Sequence, residues 1–227
     1  TKKDLIKFCG VKKENISVIY NGCGKLFKSL PKKHKEILRK SKFKFPKNSF
    51  LILIIGHQSY KNHETALKVL SQLRLKKKNI YIVRLGRKSK SWSKLKKYYS
   101  LNKYIIEINW LKPNEVSELY NSVDCLLFPS WYEGFGRPPL EAMASGVPVV
   151  ASNVASIPEV VGKAGLLYDP NDVKGMTQGI NSILKNKKIR NQMIKRGIKQ
   201  SFLFTWEKNV EETIKVYKSI ISRNYEK

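Results

Sequence analysis

Short apolar runs recur along the chain at residues 50–55, 80–85, 104–108, 125–128, 147–151 and 165–168. Each has strand length and is rich in Ile, Leu, Val, Phe or Tyr. The intervals between them carry helical patterning instead. Within residues 62–73, Ala66, Leu67, Leu70 and Leu73 follow a 3.6-residue period, and Val116, Leu119 and Tyr120 do the same over a shorter stretch. This alternation predicts an α/β fold, a Rossmann-like doubly wound parallel sheet covered by helices on both faces. Ligands of such sheets bind beyond the C-terminal ends of the strands.

After Asp169 the pattern becomes wholly helical, with segments at 173–184, 189–201 and 205–222. Thr205 is placed to cap the last of these, and Trp206, Val210, Ile214, Tyr217 and Ile221 form one apolar stripe along it. At the other end, residues 4–8 read as helix and residues 16–19 as a lone strand, followed by the Asn21-Gly22 loop. Residues 31–47 read as a lysine-rich connector, and no internal repeat is visible.

Composition narrows the picture. With 227 residues, 41% hydrophobic and 11% aromatic, the chain can build a sizeable core. Its longest apolar run, residues 50–55, falls far short of the roughly 20 residues that span a bilayer. The chain begins at Thr1 without a basic and apolar leader, and a larger N-terminal region is expected to precede it. Cys9, Cys23 and Cys125 are odd in number and lack metal-ligand spacing, so a reduced, cytoplasmic setting and no structural metal are expected. Cys125, inside an apolar strand, reads as a small buried hydrophobe.

Lys and Arg number 45 against 17 acidic residues, a net charge of +28. Lysines dominate and are scattered, as at 76–78, 94–97 and 185–188, in a chain also rich in Asn and Ile. That is the mark of an AT-rich genome on tolerant surface positions, and no nucleic-acid partner is expected. Peripheral contact with an anionic membrane fits the charge, at about 1 kcal/mol for each basic residue near the surface.

Candidate chemistry concentrates in residues 128–151, FPSWYEGFGRPPLEAMASGVPVVA, which read as strand, glycine loop, helix, turn and strand. Gly134 and Gly136 let backbone approach a ligand, and Pro138 and Pro139 suit the first turn of a helix. The loop thus presents free amides at a helix N-terminus, an anion site. Glu133 and Glu141 flank it, and since carboxylates repel phosphate they are aimed at hydroxyls. Phosphate on amides with hydroxyls on carboxylates describes a sugar nucleotide. A glycosidase pair also places two carboxyls around a glycosidic bond, but needs no anion loop. Structural roles remain open for each acid: Glu141 beside the helix dipole, Glu133 capping a turn.

This stretch closely resembles the donor-binding signature of glycosyltransferase family 4, retaining enzymes of the GT-B fold, and similarity continues through Ile157-Pro158-Glu159-Val160-Val161-Gly162, Gly165-Leu166-Leu167 and Asp169-Pro170. The resemblance implies that Glu141 binds the nucleotide's ribose and that Glu133, the catalytic candidate, lies by the transferred sugar. It further implies that the amides of Gly134, Phe135 and Gly136 meet the sugar or diphosphate. Upstream the family usually carries Gly-Arg and then a Lys about four residues on. Here Gly56 is followed by His57, with Lys61 in the Lys position. A neutral imidazole replaces the fixed charge and fork of guanidinium, which implies weaker donor binding or a substitute cation, with Arg87 and Arg137 nearby in sequence. The base pocket would form around Asn109, Trp110 and Leu111, where Trp110 suits either base stacking or a core position.

The resemblance implies that this is the second domain of a GT-B fold, with residues 1–29 the remnant of an N-terminal domain and hinge, 30–204 the nucleotide-sugar-binding domain, and 205–227 a helix crossing back. It implies transfer of a hexose from a UDP-, GDP- or ADP-linked sugar to a glycan or lipid-linked acceptor, in cell-surface polysaccharide or glycoconjugate synthesis, without a metal or other cofactor. Two alternatives stand beside it: a nucleotide-sugar-binding or regulatory module without transfer, and a basic nucleic-acid-binding domain. Ser156 and Glu159 read as a capping box, and His34 and His63 as surface residues.

Overall fold

A computed structural model describes residues 1–76 and 79–225. Lys77 and Lys78 of the 76–78 run, and Glu226 and Lys227 of the 205–227 segment, lie outside the described residues. Six parallel strands form one sheet: β1 (Phe50–Ile55), β2 (Ile80–Leu85), β3 (Ile105–Ile108), β4 (Cys125–Phe128), β5 (Val149–Ser152) and β6 (Leu166–Tyr168), in the order β3-β2-β1-β4-β5-β6. The order reverses between β1 and β4, the two strands that succeed each other across the middle of the sheet. Their register pairs Leu53 with Leu126, while Ile55 pairs with Leu85 and Leu85 with Ile108, so all the C-terminal strand ends share one edge.

Strand alternation sorts the core into two layers. Leu51 and Leu53 face one cluster with Leu126, Phe128, Leu140, Met143 and Ile157, while Phe50, Ile52 and Ile54 face another with Leu67, Leu70, Trp92, Met176 and Ile180. The first layer is covered by α5 (Pro113–Asn121), α6 (Arg137–Ala144) and α7 (Ile157–Val161); the second by α3 (His63–Lys76), α4 (Lys90–Tyr98) and α8 (Val173–Lys185). Helix α9 (Lys187–Ser201) packs on α6 and α8, and α10 (Trp206–Tyr225) follows it. Side-chain oxygens of Ser89, Asp172, Asn186 and Thr205 accept backbone N–H groups at the starts of α4, α8, α9 and α10.

Several expectations are corrected. Residues 16–19 join no strand, and Val18 is about half exposed, so the short Ile-Ser-Val-Ile run is not drawn into the six-stranded sheet. The N-terminal segment does begin as helix, α1 (Lys2–Cys9). The connector 31–47 contains helix α2 (Lys32–Ile37), continued by a π-helical turn over Leu38–Lys42. Arg39 in that turn holds Asp124 with both guanidinium nitrogens, at 3.1 and 3.2 Å, fastening the connector to the entry of β4. The interval before β3 holds a helix as its place between two strands predicts, α4, with Trp92 and Leu95 on its apolar face. His34 is exposed as expected, but His63 is buried at the start of α3, edge-on to Trp92 at 5.3 Å. Ser156 and Glu159 do not form a capping box: the Ser156 hydroxyl donates to the Glu133 carbonyl, and the Glu159 carboxylate accepts the Tyr20 hydroxyl.

The stripe on α10 is present but uncovered. Trp206, Val210, Ile214, Tyr217 and Ile221 are each 43–63% exposed. Among the described residues no helix is long and apolar enough to cross a membrane.

Candidate functional site

The loops leaving β1 and β4 meet where the strand order reverses, the position at which open parallel sheets bind ligands. After β1 the chain turns at Gly56, whose φ of 112° disfavours any side chain. A Cβ there would also lie 2.9 Å from carbons of Lys61, so the lysine folds back over the glycine. His57 beside it is exposed, its N–H directed to the Gln58 side chain at 3.2 Å.

Lys61 is buried and its ammonium lies 2.7 Å from Glu133 Oε1, with the Phe128 ring 4.8 Å away. The pair joins the β1 loop to the β4 loop. Three further bonds reinforce that seam. The Trp131 N–H donates to the Tyr60 carbonyl at 2.8 Å, and Asn62 donates from Nδ2 to the carbonyls of Pro129 and Pro170, both at 3.0 Å. Asn62 adopts a left-handed backbone and also accepts the Thr65 N–H, so one buried amide gathers three loops.

Beyond Glu133 the chain passes Gly134, Phe135 and Gly136 into α6. Gly136 is the helix N-cap with a φ of 100°. The N–H groups of these three residues have no partner among the described residues, leaving donors at a helix start. The Phe135 ring points elsewhere, toward Tyr20 and Phe204 at 6.1 and 5.9 Å, so only its amide belongs to the loop surface. One turn into α6, Glu141 accepts the Tyr120 hydroxyl at 3.0 Å, and the exposed Arg137 guanidinium approaches its other oxygen at 3.4 Å. Burial pushes the Glu141 pKa up, and these two donors oppose the shift. The result is a recessed carboxylate with one exposed cation beside it.

The structure therefore brings Gly56, Lys61 and Glu133 to one seam, with Gly134, Phe135 and Gly136 following Glu133 into α6 and Glu141 one turn along that helix. Asn109, Trp110 and Leu111 follow β3 at the same sheet edge, two strands away. Trp110 is 70% exposed, which removes the core reading and leaves its faces open, whereas Leu111 packs into the core. Arg87 contributes its carbonyl to Arg84. Sequence reasoning missed Tyr120, Asn62, Arg84 and His63. Tyr120 read as one more apolar helix position, and Arg84 did leave a signal, a charge inside an apolar strand. Among the described residues no group of three or more His, Cys, Asp or Glu side chains is arranged to hold a metal.

Comparison with known proteins decides the family. The family model described as "Glycosyl transferases group 1" matches residues 35–200. The chain belongs to this family. The group 1 glycosyl transferase chain is 44% identical over 115 residues to the O-antigen chain mannosyltransferase B of Escherichia coli, a match covering 51% of this chain and 30% of that protein. It is 24% identical over 231 residues to the serotype-specific mannosyltransferase WbdA of the same organism, covering 99% of this chain and 28% of the relative. The chain thus spans about 30% of the length of these relatives. Among solved structures, HepE of Anabaena in complex with UDP-glucose matches with a TM-score of 0.81 at 18% identity, over 97% of this chain and 61% of that one. The C-terminal domain of LpcC from Francisella tularensis, a group 1 family protein, matches with a TM-score of 0.67 at 21% identity, over 78% and 95%. The group 1 transferase chain has the Rossmann-like α/β architecture of the GT-B glycosyltransferases.

Proposed function

We propose that this chain is the donor-binding domain of a retaining, family 4 type glycosyltransferase that moves a hexose from a nucleotide diphosphate sugar to a glycan or lipid-linked acceptor in cell-surface polysaccharide synthesis. The observation that carries the reading is the seam between β1 and β4, where Lys61 meets Glu133 and leads into three free amides at the start of α6, with the recessed Glu141 one turn along that helix. In this reading Glu141 accepts the ribose hydroxyls, Glu133 faces the transferred sugar, and Lys61 with the loop amides takes the diphosphate. His57 and the residues 109–111 flank it, with Trp110 under the base. Positive groups fixed before the reaction stabilise charge on the leaving diphosphate without reorganising. Mannose is the leading hexose, since the relatives are named mannosyltransferases.

Residues 1–29 and 205–227 are then hinge and crossing elements around the domain 30–204, and the uncovered α10 stripe suits packing against an acceptor domain. Donor binding without appreciable transfer is expected of the chain by itself. Thermal unfolding with a panel of UDP, GDP and ADP sugars, GDP-mannose and UDP-glucose included, tests the assignment. Stabilisation by one donor that disappears in Glu141→Ala is the expected result; no response to any donor would overturn it. Binding with no transfer even beside an acceptor domain would instead favour a binding module.

A further inference from the structure

Arg84 sits on β2 with no exposed surface, an unusual place for a charge. Its guanidinium donates to the carbonyls of Gly86 at 3.0 Å and Arg87 at 2.9 Å and lies over the Trp92 ring at 4.8 Å. Its Nε has no partner, and among the described residues it forms no ion pair. The carboxylate facing it, Glu107, is already taken by the Trp92 indole at 2.7 Å and by Lys96. A buried charge without an ion pair is costly; the two carbonyls, the Trp92 ring and the nearby Glu107 charge stand against that cost, while Nε stays unpartnered.

Its location supplies a reason. A Cβ on Gly86 would fall 2.3 Å from the Gly56 carbonyl oxygen and 3.4 Å from Arg84 Nη2, so the guanidinium lies beneath the point where the β1 and β2 loops touch. Around that point stand His57, Lys61, His63 and Arg87. Of these, Lys61 is neutralised by Glu133, His57 projects into solvent, and buried His63 has an unpartnered Nε2 edge-on to the same Trp92. Burial and the charges of Arg84 and Lys61 all push the His63 pKa down, to about 4, so the imidazole is neutral; Arg87 is exposed, and Arg84 is the fixed cation of the group that is fully buried and, among the described residues, without an ion pair.

We infer that Arg84 is a positioning residue for the donor's diphosphate: it holds the Gly86-Arg87 turn by its carbonyls and supplies from below the fixed positive charge that His57 does not. The inference rests on the donor-site reading above. A charge acting through the loop must discriminate by ligand charge, whereas a packing role would not.

The test titrates wild type, Arg84→Gln, Arg84→Lys and the double variant Arg84→Gln/His57→Arg with UDP, GDP and ADP and with the matching nucleosides, at fixed low ionic strength. Arg84→Gln is expected to weaken the diphosphate on the order of tenfold while leaving the nucleoside unchanged, as one lost charge at short range requires. Arg84→Lys should retain most of the affinity, and arginine at position 57 should restore it in the double variant. Equal weakening of diphosphate and nucleoside, or failure of the position-57 arginine to restore binding, overturns the inference. Should Arg84→Gln fail to fold by circular dichroism, Arg84→Lys carries the test, and a loss of diphosphate preference in it overturns the inference. Wild type that binds no diphosphate at all removes the donor-site reading itself and this inference with it.

Discussion

The two halves of the sheet bring opposite chemistry to the same edge. From β4 and β5 come Glu133, three free amides and Glu141, all within nine consecutive residues of one loop and helix. From β1 and β2 come His57, Lys61, His63 and Arg84, spread over two strands and a helix start. The acidic half is assembled locally and the cationic half by tertiary folding, and they are joined by the Lys61–Glu133 pair, the Asn62 amide and the Trp131 to Tyr60 bond. In the donor-site reading proposed above, this division separates two tasks: cations and amides for phosphate, carboxylates for hydroxyls.

The largest effect should come from breaking the join. Lys61 and Glu133 have side chains only 10% and 11% exposed, so removing either leaves a buried charge unpaired, at a cost of about 3–5 kcal/mol. Lys61→Met and Glu133→Leu made together should recover most of that stability, because the two costs share one origin. Urea unfolding of the four proteins measures the coupling. Strictly additive losses would show that the halves are independent and that the pair is incidental.

The next effect belongs to the cationic half alone. His63 titrates near 4 in the folded chain, against an ordinary value of 6.5, chiefly because burial disfavours its charged form. Its folded pKa is depressed, so the unfolded state takes up the proton first as pH falls. Stability is therefore fully present above pH 6.5 and is lost as pH falls to about 4, by about 3 kcal/mol in total. In His63→Phe that contribution is absent. Between pH 7 and pH 4 the wild type should lose about 3 kcal/mol more than the variant in chemical unfolding. Parallel pH profiles would mean that His63 is protonated at little cost, and that the cationic half is better solvated than its burial indicates.

The same contrast explains what was legible in the sequence. Five of the six strands lie at the bounds that their apolar runs predict or within a residue of them, because a parallel strand buried on both faces must be apolar throughout. The acidic half was legible too, since glycine, proline and glutamate spacing describes a loop and helix start without knowledge of anything distant. The cationic half was not. That Lys61 would pair with Glu133 depends on the β1 and β4 loops meeting, 72 residues apart in sequence. The burial of His63 depends on Trp92 from α4, a contact between two helices that no local pattern encodes. Residues 16–19 misled for the converse reason, an apolar run that is not drawn into the six-stranded sheet.

The smallest effects divide the acidic half itself. Gly136 needs its φ of 100°, and a Cβ there would meet only Ile157 and Pro139 carbons at 3.9 and 4.0 Å, so Gly136→Ala costs backbone strain of about 1–2 kcal/mol and no clash. Gly134 has neither constraint: its φ lies outside the positive region, and a Cβ would meet nothing within 4 Å. Gly134→Ala should therefore change the melting temperature little, within about 0.5 kcal/mol in stability. If the loop amides receive a phosphate or sugar, that empty space is where the ligand approaches, and the added methyl should weaken donor binding while the fold stays intact. Calorimetric titration of the two variants with the preferred donor separates the cases. Unchanged donor affinity in Gly134→Ala would mean that the ligand does not approach the loop at Gly134, and would assign the anion contacts to the cationic half instead.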